Sequence, residues 1–289
     1  MASHGEIVVT LAGEVVTADH PVVRADDPLF GRGDGVFETL LLRNGRGCLI
    51  GAHLERLERS ASTVGLPPPN VAQWRTAVAS AAQAWPGAGE AVMRLVLGRG
   101  RGGAPIGFVT VSPLPDRALT ARRDGVSAMT LDRGFSVADG PGGAAPAPWS
   151  TAGVKSLSYA ANAAALRHAQ RLGFGDVVLT STDGFVLEGP RSNVVIVARD
   201  GVLATPPSTL PILAGTTVKA VFDVARRRGE TCEERPLRTT DLLAAKGVWL
   251  LSSITLAARV HTLDGAVLPA VDGVVDMAEI VDEAVGELD

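Results

Sequence analysis

Apolar and polar residues change period several times along the chain, and each change predicts an element. Ile7–Leu11 and Glu14–Thr17 are short β-forming runs on either side of Ala12-Gly13, which predicts a hairpin. Gly35–Arg43 is a strand of mostly apolar residues. Asn44-Gly45 then turns the chain, with Cys48–Ile50 as the returning strand. From His53 to Val64 the period becomes helical, with Leu54, Leu57, Ala61 and Val64 on one face and Gly65 as the stop. Val71 to Trp85 repeats it with Val71, Trp74, Val78, Ala81 and Trp85. Ala91–Leu97 and Gly107–Ser112 are strands separated by a stretch too rich in glycine to be one, Gly98 to Gly103.

Pro113 to Asp124 carries two prolines and several charges, and predicts a linker. The division expected is residues 1–116 as a small α/β domain, 117–123 as linker and 124–289 as a larger domain. Beyond the linker, Gly125–Leu131 is a strand, 139–148 a Gly/Pro/Ala loop, and Ser158–Leu172 an alanine-rich helix ended by Gly173. Asp176–Thr180, Phe185–Leu187, Asn193–Val197 and Val202–Ala204 read as an antiparallel meander turning at Asp183-Gly184 and Asp200-Gly201. Val218, Val221, Phe222 and Ala225 mark a further helix. Gly247–Ser252 and Ala258–Leu263 are strands, and Asp276–Leu288 is a last helix. The alternation of both element types gives an α/β (α+β) fold class.

Composition narrows the function by exclusion. The 289 residues carry a net charge of −4, which gives no reason to expect nucleic acid or a membrane surface as partner. No apolar run approaches the ~18–20 residues of a spanning helix, and Met1–Gly5 does not read as a signal peptide. Cys48 and Cys232 stand alone, and the five histidines are scattered, so neither a disulfide framework nor a metal site is expected. A cytoplasmic globular protein is the expectation. The 27 basic residues include only three lysines, Lys155, Lys219 and Lys246, so any lysine-dependent chemistry has three candidates.

Five places could carry that chemistry. Lys155 lies between a loop and a helix, where it is either a surface lysine or one aimed into a cleft. Glu188, before Gly189-Pro190 at a strand end, is either a turn residue or a carboxylate that holds a protonated ring nitrogen. Leu213-Ala214-Gly215-Thr216-Thr217 leads into a helix, as a plain cap or as an anion site of free amides and hydroxyls. Arg56 is either a solvated arginine or a phosphate clamp. Arg99, in the glycine-rich stretch, is either solvated or able to hold a substrate carboxylate side-on. A lysine, a ring-nitrogen carboxylate and a phosphate cup are the parts a pyridoxal phosphate site needs.

Their order along the chain resembles the fold-type IV pyridoxal phosphate enzymes, the class IV aminotransferases: branched-chain aminotransferases, D-amino acid aminotransferases and 4-amino-4-deoxychorismate lyases. The resemblance spans nearly the whole chain. It rests on Gly33-Asp34-Gly35-Val36-Phe37-Glu38-Thr39, His53-Leu54-Glu55-Arg56-Leu57, Lys155-Ser156-Leu157-Ser158-Tyr159, Glu188-Gly189-Pro190-Arg191-Ser192-Asn193 and Leu213–Thr217. It implies a two-domain fold with pyridoxal 5′-phosphate in the cleft between the domains. It makes Lys155 the Schiff-base lysine and Glu188 the partner of the pyridine nitrogen. Arg56, Thr216, Thr217 and Ser253 would hold the phosphate, and Tyr159 would lie near the 3′-oxygen. It also implies a homodimer.

Two features point within the family to 4-amino-4-deoxychorismate lyase, which forms 4-aminobenzoate and pyruvate in folate biosynthesis. Phe37-Glu38-Thr39 has threonine where branched-chain aminotransferases tend to have glycine, and Leu97 to Gly103 resembles the lyases' Arg-Gly-x-Gly-Gly loop. Thr39 would then assist the elimination and Arg99 would bind a substrate carboxylate. The alternative is an aminotransferase for D-amino or branched-chain amino acids, with Arg99 in the same role.

Overall fold

The structure, a computed structural model, describes residues 6–17, 19–137, 149–271 and 275–286. The loop expected at 139–148 lies outside the described residues. The described residues fall into two compact units. One runs to Pro115 and includes Val154–Tyr159; the other holds Asp116–Gly153 and Ala160–Gly286.

The first unit is built on an antiparallel sheet. β1 (Ile7–Thr10) and β2 (Val15–Thr17) form the expected hairpin, and a short helix α1 (Pro28–Arg32) precedes β3 (Gly35–Arg43). Asn44 and Gly45 both take positive φ, 52° and 72°, as a tight hairpin of matching twist requires. The return strand β4 is only Arg46–Gly47, however. At Leu49 (φ 53°) the chain has already turned into α2 (Ile50–Thr63), so the expected strand at Cys48–Ile50 does not form. α3 (Val71–Ala84) follows, capped by the Asn70 side chain, which accepts from the Gln73 N–H at 3.2 Å. β5 (Ala91–Arg99) and β6 (Pro105–Pro113) complete the order β2-β1-β6-β5-β3-β4. β5 runs through Gly98 and Arg99, and only Arg101–Gly103 is a 3-10 turn, so the glycine-rich stretch is half strand. Val36, Leu40, Met93, Leu95, Val109 and the apolar faces of α2 and α3 form the core on one side of this sheet. Phe37, Val96, Phe108, Leu157 and Tyr159 cluster on the other.

The expected linker is a helix. Residues 117–123 lie inside α4 (Asp116–Asp124), which packs along a strand of the second unit with Ala118 fully buried. Its charges suit the helix ends, with Asp116 in the first turn and Arg122 and Arg123 in the last. Charges on a solvated helix face gave the segment the look of a linker.

The second unit continues with β7 (Val126–Asp132), α5 (Ala160–Arg171), β8 (Asp176–Thr180), β9 (Asn193–Val197), β10 (Leu203–Thr205) and α6 (Thr216–Arg227). Next come β11 (Cys232–Glu234), α7 (Thr239–Ala244), β12 (Gly247–Ser252), β13 (Leu256–Leu263), β14 (Ala266–Val267) and α8 (Met277–Gly286). The sheet order is β11-β10-β9-β12-β13-β7-β8, with β14 on β13. This corrects the expected meander in its middle, where the two hairpins do not adjoin. β8 pairs in parallel with β7, whereas β9 lies between β10 and β12. Asp200-Gly201 does turn β9 into β10. Asp183-Gly184 also turns as expected: Phe185–Leu187 returns antiparallel along β8, with the Ser181 N–H donating to the Phe185 carbonyl at 2.8 Å and the Leu187 N–H to the Leu179 carbonyl at 2.9 Å, and Phe185 bridges Arg238. Turn residues mark where the chain reverses; strand partners are chosen by burial across the whole sheet.

Candidate active site

In the first unit, Val154–Tyr159 lies alongside the start of β3. The Phe37 N–H donates to the Lys155 carbonyl and the Leu157 N–H to the Gly35 carbonyl, each at 2.9 Å, and Val36 bridges Ser156. Backbone pairing therefore sets where Lys155 points. Its Nζ stands 4.5 Å from the centre of the Phe37 ring, which Tyr159 meets edge-on at 5.6 Å.

Successive β3 side chains face opposite sides of the sheet. Glu38 points toward α2 and is fully buried. Its carboxylate accepts from Arg56 Nε at 2.8 Å, Arg56 Nη2 at 2.7 Å and His53 Nδ1 at 2.7 Å. Burial favours the neutral acid, but the Arg56 charge and hydrogen bonds, with those of His53, hold this carboxyl well below the usual range. Burial also pushes His53 below its ordinary value, against the pull of Glu38; the charges of Arg56 and Lys155 add to that push. Arg56 is thus an oriented, buried arginine with a side-on partner already in place.

Thr39 faces the other way, on the Phe37 side, and is half-buried. Opposite it on β5 is Arg94, exposed, with its guanidinium carbon 5.1 Å from the centre of the Phe37 ring. Arg99 is engaged by neighbours within the first unit. Its Nε donates to Asp34 at 3.0 Å, and Nη2 donates to the carbonyls of Val64 and Gly65 at the end of α2. The Nε–Nη2 edge is occupied, as that of Arg56 is by Glu38, which leaves Nη1 of Arg99 for a carboxylate.

In the second unit, Glu188 Oε2 accepts from the Leu213 N–H at 3.0 Å. Asn193 Nδ2 donates to the Leu213 carbonyl at 2.8 Å. The carboxylate and the loop that opens α6 are therefore one structure. Gly215 precedes the helix, and a Cβ there would lie 2.1 Å from Asn193 Oδ1. Thr216 and Thr217 are buried in the first turn, where amides lack intrahelical acceptors. Thr217 Oγ1 is 3.5 Å from Ser253 Oγ, in the turn between β12 and β13. Glu188, Thr216, Thr217 and Ser253 thus gather within one unit, and Lys155, Tyr159, Thr39 and Arg56 within the other.

Three participants escaped the sequence reading: Glu38, His53 and Arg94. The signal for two of them was present. Glu38 interrupts Val36 to Leu42 and Arg94 interrupts Ala91 to Leu97, and a charge inside an apolar strand needs a partner or a purpose.

The donors fit pyridoxal phosphate: an amine, a carboxylate fixed by a backbone amide, and a hydroxyl-bearing helix start whose loop leaves no room for a Cβ. The amino-transferase class IV family model matches residues 35–263, and the chain belongs to that family of pyridoxal phosphate enzymes. It is 54% identical over 290 residues to the bifunctional aminodeoxychorismate lyase / D-amino acid transaminase of Mycobacterium tuberculosis, covering 96% of this chain and 99% of that one. Among solved structures it is similar to a hypothetical aminotransferase from Mycobacterium tuberculosis in its PLP-bound form. That likeness has a TM-score of 0.91 and 52% identity, over 97% of this chain and 99% of the other. A fold IV transaminase from Curtobacterium pusillum follows at a TM-score of 0.85 and 38% identity, over 96% and 95% of the two chains. Among the described residues no helix is long and apolar enough to cross a membrane.

Proposed function

We propose that this enzyme is a 4-amino-4-deoxychorismate lyase, forming 4-aminobenzoate and pyruvate, and that D-amino acid transamination runs on the same residues. The observation that carries this reading is Thr39, a hydroxyl on the Phe37 face of β3, the face Lys155 overlooks, with Arg94 as its cross-strand neighbour. The similarity to a bifunctional lyase and transaminase supports it.

Lys155 carries the cofactor and Glu188 keeps its ring nitrogen protonated. Arg56, Thr216, Thr217 and Ser253 hold its phosphate, and Tyr159 lies by its 3′-oxygen. When bound, the cofactor supplies an acceptor for the electron pair left by a broken C–H bond. The Lys155 amine takes the substrate's C4 proton as a general base. The C–O bond to the enolpyruvyl group then breaks, with Thr39 placed to donate a hydrogen bond to the departing oxygen. The departing oxygen takes up the proton that Lys155 removed, the released enol becomes pyruvate, and the ring becomes aromatic. In transamination Lys155 instead returns the proton at a different carbon, and Thr39 has no departing group to serve. Arg94 meets a substrate carboxylate, and Arg99 braces the end of α2 with Nη1 as a second contact. The enzyme works in the cytoplasm as a homodimer.

Separate incubations with aminodeoxychorismate, and with D-alanine plus 2-oxoglutarate, test this reading. It requires 4-aminobenzoate from the first. Glutamate from the second with no 4-aminobenzoate from the first would leave a plain aminotransferase.

A further inference from the structure

The second unit contains a cavity of about 410 Å³ to which the proposed reaction gives no task. That volume suits a small molecule. Its lining combines apolar groups with an excess of guanidinium. Trp249 and Arg259, register partners on β12 and β13, meet there with Arg122 and Arg123 from the end of α4 and Met277 from the start of α8.

The two carboxylates in the lining are already engaged. Asp124 pairs with Arg123 at 2.7 Å, and Asp276 accepts from the Glu279 N–H at 3.0 Å as the cap of α8. Three arginines therefore face two committed acids. Arg259 donates through Nη2 to the Pro269 carbonyl at 2.8 Å, while its Nε is shut off from solvent with no partner among the described residues. Arg122 donates to the Ile254 carbonyl, from Nε at 3.1 Å and also from Nη2. Ile254 follows Ser253, whose hydroxyl is 3.5 Å from that of Thr217.

We propose that this cavity binds a small organic carboxylate with a flat apolar body, and that its occupancy changes how tightly the cofactor phosphate is held. The ring would lie against Ala257, Val271 and Val275, the half-buried apolar side chains of the lining, and the carboxylate would meet Arg259. An anion there also competes for Arg122, and so slackens the brace on the turn that presents Ser253. The second half of the proposal rests on the phosphate role given above to Thr217 and Ser253. The coupling is reciprocal, so cofactor binding must alter affinity at the cavity by the same factor.

Benzoate titrated into the holoenzyme, followed by calorimetry, tests the site, and the rate of cofactor loss on dilution, read by absorbance, tests the coupling. Neither readout depends on which reaction the enzyme runs. Saturable binding should weaken at least about tenfold in Arg259→Met and in Ala278→Glu. The second change places a like charge at an exposed first-turn position that tolerates Glu well. Benzoate should speed cofactor loss in the wild type and in neither variant. Absence of saturable binding overturns the proposal. So does binding that both variants leave unchanged, which places benzoate elsewhere, or cofactor loss that benzoate does not affect.

Discussion

Glu38 and Thr39 are adjacent in sequence and have unrelated tasks, because a strand sends neighbouring side chains to opposite faces. Glu38 fixes Arg56 from within the core, while Thr39 shares a surface with Phe37 and Arg94. Thr39→Val keeps the β-branched shape and removes only the hydroxyl. It should lower 4-aminobenzoate formation by ~10–100-fold, or ~1.4–2.7 kcal/mol of barrier, and barely alter D-alanine transamination. Equal losses in both assays would show the hydroxyl to be structural. Arg94 and Arg99 separate in the same way. Arg94→Gln should lower kcat/KM for aminodeoxychorismate by about tenfold or more, the size of a lost charge-assisted hydrogen bond, with no change in melting temperature. Arg99→Gln should instead lower the melting temperature, since it unties Asp34 and the end of α2. Steady-state kinetics and thermal melts on both variants decide, and the reverse pattern would reinstate Arg99 as the main carboxylate anchor.

At the scale of elements, the site depends on two joints where irregular chain is held by backbone pairing. One is Val154–Tyr159 against β3. The other is the loop into α6, tied to Glu188 and to Asn193 through Leu213. Gly215 in this loop has φ −74° and ψ 120°, angles open to any residue, so glycine is needed there for space alone. Gly215→Ala would push the Asn193 amide off the Leu213 carbonyl and tilt the first turn of α6. Pyridoxal phosphate affinity should fall by about tenfold or more, read by equilibrium dialysis. Circular dichroism should stay near wild type, because the rest of α6 is held by Val218, Val221, Phe222 and Ala225 in the core.

At the scale of the whole molecule, the buried Glu38–Arg56–His53 cluster ties stability to pH. Glu38 titrates lower folded than unfolded, so its contribution is present above the unfolded value near 4.5 and fades as pH falls below it. His53 is held neutral by burial, and the unfolded chain takes up a proton near 6.5 that the fold resists. Both effects weaken the fold toward acid. Urea midpoints should therefore fall steadily from about pH 6.5 downward. Glu38→Gln should flatten the acid part of that slope, while costing about 3–5 kcal/mol at neutral pH by leaving Arg56 buried without its partner. A flat wild-type profile would contradict the assignment. The homodimer is checked by light scattering at micromolar protein. A two-fold assembly is expected, and a fully active monomer would rule it out.

Much of this protein is decided locally and was legible in the sequence. Asn44-Gly45 takes the left-handed pair its residues favour, the apolar stripes of α2, α3 and α6 face the core, and Lys155, Glu188 and Thr216-Thr217 occupy the kinds of joint their neighbours announce. Period, turn residues and helix stops act over a few residues, so a few residues reveal them. The tertiary structure alone decided the rest. It placed β8 beside β7 and far from β9 in the sheet order, made a helix of 117–123, and brought His53 and Arg56 onto Glu38. It also occupied the edge of Arg99 expected to hold substrate, and set Arg94 over Phe37. These outcomes depend on which distant surfaces bury one another and which charges find partners once water is excluded, and no local window of sequence contains that competition.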